Sequence, residues 1–217
     1  MPEPVPRVTA ILPRLATVCA LIMSLLWCGC GKPPMLVQKY LLDYPAPPVK
    51  AAPLADSLKV EPFTVAQAFN TTAMVYRTDP YRSETYNYSR WRVTPGYLVA
   101  DYLIRDLRNS RIFKAVLAAD SPTKARFALE GGVEEMQEVD QGEIWQASLA
   151  LNITLLDTSE SEITKRVVFQ KKYQAAEPLT EKTPGGLAQA MSRAMERLSA
   201  QIITDIYQAA KKVSSEP

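Results

Sequence analysis

The chain has 217 residues, 47% hydrophobic and 22% charged, with 25 basic against 23 acidic side chains. So even a balance leaves no footprint for nucleic acid, whose binding rests on neutralising phosphates. It also contains no histidine, which removes the usual general base near neutral pH and the commonest metal ligand.

In chain order, Arg7 and Arg14 precede Leu15 to Trp27, thirteen residues without a charge. A positive flank before a short apolar run marks a secretory signal, and the run is too short for the roughly 20 apolar residues of a membrane-spanning helix. It ends in Trp27-Cys28-Gly29-Cys30, which resembles the lipobox of lipoprotein signals. Gly29 suits the small position beside the cut, so Cys30 is the expected lipidation site. Cleavage would leave 188 residues with 23 basic and 22 acidic side chains, because Arg7, Arg14 and Glu3 depart. Cys19 and Cys28 depart too, and Cys30 is consumed by lipid. The mature chain then has neither thiol nor disulfide, which excludes cysteine nucleophiles, Ser–His pairs and thiolate or imidazole metal sites. A carboxylate pair or a Ser–Lys arrangement is all that remains for catalysis. There is no G-x-S-x-G, P-loop or G-x-G-x-x-G opening a helix. No enzyme, metal site or cofactor is expected beyond diacylglycerol and an N-acyl chain (a palmitate, for instance) on Cys30.

Residues 30–57 hold Pro33, Pro34, Pro45, Pro47, Pro48 and Pro53. Proline fixes φ and removes a donor, so the stretch is expected to be an extended tether with one short strand at Gln38 to Asp43. Leu58 to Glu61, Ala73 to Arg77 and Glu84 to Trp91 are further strand candidates. Thr94-Pro95 then offers a helix N-cap with proline at the first helical position. Leu98, Val99, Tyr102, Leu103, Asp106 and Leu107 follow at helical spacing, with an end near Asn109-Ser110. Ile112 to Leu117 and Arg126 to Glu138 are expected strands, Gly131-Gly132 inviting a bulge or bend. Residues 138–143 are expected to turn. The clearest alternation follows, Trp145, Ala147, Leu149, Leu151, Ile153 and Leu155 against polar or small neighbours. Asp157 to Glu162 turns again, and Val167, Phe169, Tyr173 and Ala175 repeat the pattern. Thr183-Pro184-Gly185-Gly186 opens a last helix with Leu187, Met191, Ala194, Met195, Leu198, Ile202 and Ile206 on one stripe. Residues 211–217 are expected to fray. The fold class is therefore α+β: a single domain over residues 58–210, with a mainly antiparallel sheet and two principal helices packed on it.

The most distinctive stretch interleaves aromatic and basic residues, and Tyr76, Arg77, Tyr86, Tyr88, Arg90 and Trp91 are its candidate partner-binding set. Tyrosine and arginine are favoured at protein interfaces. Stacked on strands they also serve as cross-strand pairs, and both readings stand. Trp91, just before the helix cap, suits a core anchor. Glu130, Glu134, Glu135, Glu138, Asp140 and Glu143 lack the rhythm of a calcium loop and suit a solvated strand and hairpin. Lys165, Arg166, Lys171 and Lys172 can pair with them across the sheet, the default reading, or face anionic lipid.

Together these residues resemble a known family. Tyr76-Arg77, then Tyr86 before Trp91, then Pro95 opening a helix, then Ser110 and Phe113 match the pattern of the ABC-type transport auxiliary lipoproteins. That family includes the PqiC-like lipoproteins that accompany mammalian-cell-entry (MCE) domain proteins. Tyr40-Leu41-Leu42 and the long C-terminal helix also fit. The resemblance implies a non-enzymatic accessory of a lipid-trafficking system, facing the periplasm from the outer membrane and docking to an MCE partner, possible as a homo-oligomeric ring. Gly31 stands where Asp commonly signals inner-membrane retention, which favours the outer membrane. A carrier that itself holds a phospholipid is the alternative.

Overall fold

Strand β7 (Phe127–Gln141) is the spine of the computed structural model, which describes residues 35–215. Before it come β1 (Gln38–Tyr40), β2 (Leu54–Val60), β3 (Thr64–Val65), β4 (Ala73–Asp79), β5 (Arg82–Trp91), α1 (Pro95–Ser110) and β6 (Phe113–Leu117). After it come β8 (Ile144–Asp157), the single turn α2 (Ile163–Arg166), β9 (Val167–Pro178) and α3 (Pro184–Ser215). The signal and Cys30 lie outside the described residues.

One edge of β7 pairs antiparallel with β8 along its whole length, from Phe127↔Asp157 to Gln141↔Ile144. The other edge is filled end to end by β2 at residues 127–129, β3 at 132–133 and β4 at 138–139, all parallel to it. With β1 parallel to β5 and β2 parallel to β6, the sheet is mixed, which corrects the expected mainly antiparallel one. Alternation along a strand fixes which face is buried but not which strand lies alongside. Parallel neighbours need a long crossover, and α1 supplies one between β2 and β6.

Both long helices cover one face of the sheet. The α3 stripe from Leu187 to Ile206 is fully buried, as its spacing predicts, and Thr183 Oγ accepts the Gly186 N–H at 3.0 Å to cap it. The helix continues to Ser215, through residues expected to fray, because the Ser214 hydroxyl donates to Asp56 at 2.6 Å and Arg126 reaches the Val213 carbonyl at 3.4 Å. In α1 the Thr94 hydroxyl makes no capping bond; Leu98 N–H donates to the Thr94 carbonyl instead.

Two local features depart from the sequence expectation. The bulge falls between Val133 and Glu135, not at Gly131-Gly132. Gly131 is needed because the Phe63 ring lies across it, where a Cβ would come within 2.2 Å. The extra residue changes the parity of the core face, from Leu129 and Val133 to Met136 and Glu138. The turn expected over 138–143 is only Gly142-Glu143, with Gly142 at φ +73°. Glu138 and Asp140 stay in the ladder, opposite Ala147 and Trp145.

The proline-rich segment is extended, as proline dictates, but from Gln38, where β1 pairs with β5, it lies against the domain. Leu42 and Tyr44 are in the core, Asp43 N–H donates to Ser192 Oγ at 2.9 Å, and the Tyr102 hydroxyl donates to the Leu42 carbonyl. Tyr44 stacks on Tyr102 at 5.3 Å, with the Arg105 guanidinium 4.3 and 4.6 Å from the two ring centroids. Beneath them Asp106, fully buried, accepts from Tyr44 at 2.9 Å, Ser199 at 2.6 Å and Arg105 Nε at 2.8 Å. The one polar residue on the α1 stripe thus ties the segment to both helices.

Candidate functional site

The aromatic and basic stretch forms the β4–β5 hairpin, and the structure divides its candidate residues. Trp91 is 2% exposed and belongs to the core. Tyr76 and Tyr86 face each other with centroids 5.0 Å apart. The Tyr76 hydroxyl donates to Glu84 at 2.6 Å and that of Tyr86 to Glu138 at 2.7 Å. Burial, and then the bond to Glu138, hold the Tyr86 phenol above its ordinary pKa. Arg90 spends its guanidinium on the Tyr86 and Ser89 carbonyls of its own strand. Arg77 is half-buried, and Tyr88 is the member of the set that stays exposed. Cross-strand packing therefore accounts for most of these side chains.

The acids are not one solvated group either. Glu134 pairs with Lys172 at 2.6 Å, Glu135 accepts from Gln137 at 2.8 Å, and Asp140 takes Trp145 Nε1 at 2.8 Å together with Lys182. Lys171 pairs with Asp205 of α3, not with a strand acid. Among the described residues no three acidic, cysteine or histidine side chains converge on a point where a metal could sit.

Glu138 is fully buried, and its Oε1 has no partner among the described residues. The bulge, invisible as a one-residue shift in the sequence, turns it onto the core face. Burial pushes its carboxyl above the ordinary range, opposed by the Tyr86 hydroxyl and the Lys182 charge. A raised folded pKa favours the neutral form: the contribution to stability is complete below the unfolded pKa and is lost as pH rises through the folded one. Glu138→Gln does not titrate, so it should be the more stable chain at pH 8, by about 1 kcal/mol, with the gap closing towards pH 4. Urea unfolding at the two pH values checks this.

The face of the sheet away from the helices is open. Its row Ala128, Glu130 and Gly132 on β7 continues through Leu156, Thr154 and Asn152 on β8 to Gln170 on β9. With Thr64 on one side and Arg166 on the other, these residues line a groove of about 800 Å³. Carboxylates, hydroxyls and amides share the lining with apolar residues such as Pro62, Val65, Val133 and Leu156. Gly132 lets the β3 wall approach the floor, since a Cβ there would lie 2.9 Å from Thr64 Oγ. The groove offers directed hydrogen bonds to an extended or polar surface, and nothing in it pairs a nucleophile with a base. Sequence reasoning missed it because its floor is the polar half of an alternating strand, the half ordinarily assigned to water.

The family model of the ABC-type transport auxiliary lipoprotein component matches residues 40–203. The chain belongs to this family. The resemblance drawn from Tyr76-Arg77 through Phe113 is confirmed, and the chain is an auxiliary lipoprotein of the kind that accompanies ABC-type transport. The match opens at Tyr40, two residues before the pinned Leu42, so the segment expected as tether is in part family domain. No curated protein matches the chain. Among solved structures, a protein of Xanthomonas campestris superposes with a TM-score of 0.75 at 19% identity, over 83% of this chain and 100% of its own. An uncharacterized protein gives 0.60 at 14%, over 78% and 99% respectively. At these identities the two likenesses speak for the fold alone.

Proposed function

We propose that the protein is an outer-membrane lipoprotein accessory of an ABC/MCE-type intermembrane lipid transport system, anchored through lipid on Cys30 and acting by docking to the periplasm-spanning partner. The observation that carries a docking role is the open sheet face. Both long helices lie on the other side, so a groove of about 800 Å³ is left free on a rigid floor of paired strands. Its lining mixes Glu61, Glu130, Glu134, Asn152, Thr154 and Gln170 with apolar residues such as Val65 and Leu156, as a protein surface does, and an acyl chain laid there would desolvate the carboxylates and amides. That favours docking over the carrier reading.

The test is crosslinking in native membranes with a photoreactive residue at Thr154 or Gln170. Recovery of an MCE-domain protein or an ABC permease is expected, and recovery of neither overturns the proposal. The anchor has its own test: Cys30→Ala should abolish lipid labelling and move the protein from the membrane to the soluble fraction.

A further inference from the structure

We infer that the end of the domain carrying the β4–β5 and β7–β8 hairpin tips is its membrane-contacting surface, with Tyr81 and Ile144 seated in the headgroup region of the leaflet that holds the lipid of Cys30. The inference rests on the proposed lipid anchor.

The two tips lie side by side. Strand β4 runs parallel to β7, with Tyr76 beside Glu138 and Arg77 beside Val139. Its turn at Pro80-Tyr81 and the β7–β8 turn at Gly142-Glu143 therefore leave the sheet at the same end. Each tip presents one apolar side chain to solvent. Tyr81 is 95% exposed and Ile144 60%. An amphipathic ring beside an aliphatic chain is the composition that headgroup interfaces favour.

Length of chain then selects the occupant. Strand β1 is parallel to β5, with Gln38 beside Ser89 and Tyr40 beside Trp91. Because β5 runs away from the tips, the N-terminus of β1 is directed towards them. Seven residues lie between Cys30 and Gln38, and the eight Cα-to-Cα steps can span at most about 28 Å. Measured along β4, from Ala73 opposite Arg90 to Asp79 opposite Arg82, the distance to the tip is about 20 Å. The tips are within reach of a bilayer that holds Cys30.

The opposite end is not so favoured. Ala73 of β4 pairs with Arg90, three residues before the Tyr76–Glu138 pair, which sets Gln38 about level with Met136, nearer the tip end of β7. From there the start of β7 at Phe127 is about 26 Å away along the strand, allowing for the bulge, and three strands to the side, with α2 and the end of α3 beyond it. That end carries the exposed apolar residues Ile163 and Val167 beside Lys165 and Lys212. With the tips on the bilayer it points into the periplasm, and the groove, which lies along residues 128–134 of β7, sits in that far half.

The test uses the full lipidated chain in vesicles of phosphatidylethanolamine and phosphatidylglycerol. Residues 31–217 contain no cysteine, so Tyr81→Cys, Ile144→Cys and Ile163→Cys each introduce a single thiol for an environment-sensitive fluorophore. All three positions are exposed, so folding is not at stake. Labels at 81 and 144 should lose roughly half their emission to a lipid-borne nitroxide quencher, because interfacial groups lie about 5–10 Å into the headgroup boundary. The label at 163 should lose none. Equal quenching at all three positions, quenching at 163 alone, or labels at 81 and 144 shielded only when other proteins are added would each overturn the inference. Vesicle flotation and the mass of the Cys30 peptide keep the two proposals apart. An unacylated, non-floating chain defeats the anchor, whereas a floating chain with unquenched tips defeats only this orientation.

Discussion

Asp106→Ala should destabilise the domain by about 3–5 kcal/mol, because removing one member of a buried charged network leaves its partners uncompensated. Its carboxylate is inaccessible to water and accepts three bonds, from Tyr44, Ser199 and Arg105. Without it two buried hydroxyls lose their acceptor, and the guanidinium stacked on Tyr44 and Tyr102 loses its counter-ion. Each lost hydrogen bond to a charged group is worth about 1.5–3 kcal/mol, so the total does not rest on any one of them. The effect also has a direction in space. Tyr44 is the point at which the proline-rich segment is held to α1, so limited proteolysis should show early cleavage after residue 44 in the variant and not in the parent. Asp106→Asn keeps one acceptor oxygen and should lose less. Urea unfolding with an unchanged slope would establish the stability loss, and a midpoint equal to the parent's would refute it.

Trp91→Ala is the second large effect, about 3–5 kcal/mol for deleting a fully buried tryptophan. Trp91 stands where β1, β5 and the start of α1 meet. Its backbone N–H donates to the Thr72 carbonyl at 2.7 Å, and Tyr40 is its register partner on β1. The truncated chain should lose the short β1 strand first, because only three residues hold it to β5. Tyr88→Ala, three residues earlier on an exposed position, should change stability by no more than about 0.5 kcal/mol. Urea midpoints for the two variants separate the core role from the surface one, and equal losses would overturn this division of the aromatic stretch.

Much of the fold was legible because its signals are local. The apolar stripe from Leu187 to Ile206 specifies a buried helix at 3.6-residue spacing, and the alternation from Trp145 to Leu155 specifies a strand with one buried face. Thr94-Pro95 marked the start of α1 through the conformational limits of proline, even though the Thr94 side chain does no capping. Trp91 suited a core anchor because it falls where a strand passes into a helix.

What could not be read depended on neighbours distant in sequence. Asp106 was the lone polar residue on an apolar stripe. Its burial makes sense only once Tyr44 and Ser199, 62 and 93 residues away, arrive as donors. Glu138 looked like a solvated hairpin acid, and a single bulge at Glu134 carries it inside. The parallel neighbours of β7 left no trace in the pattern, since period-2 alternation is the same whichever way the adjacent strand runs. The groove shares that origin: its floor is a property of the strands, but its walls exist only because Thr64 and Arg166 are brought to either side of it.

The sequence sufficed for the two long helices and the buried faces of the long strands, which follow from residue types at short spacings, and for the family, through the resemblance that the family model bears out. Tertiary structure alone decided that residues 42–44 of the supposed tether are pinned to the domain, that the sheet is mixed, and that both hairpin tips share the end towards which β1 points. Those outcomes are set by which segments meet across the chain, and contacts of that range are governed by the topology of the whole core.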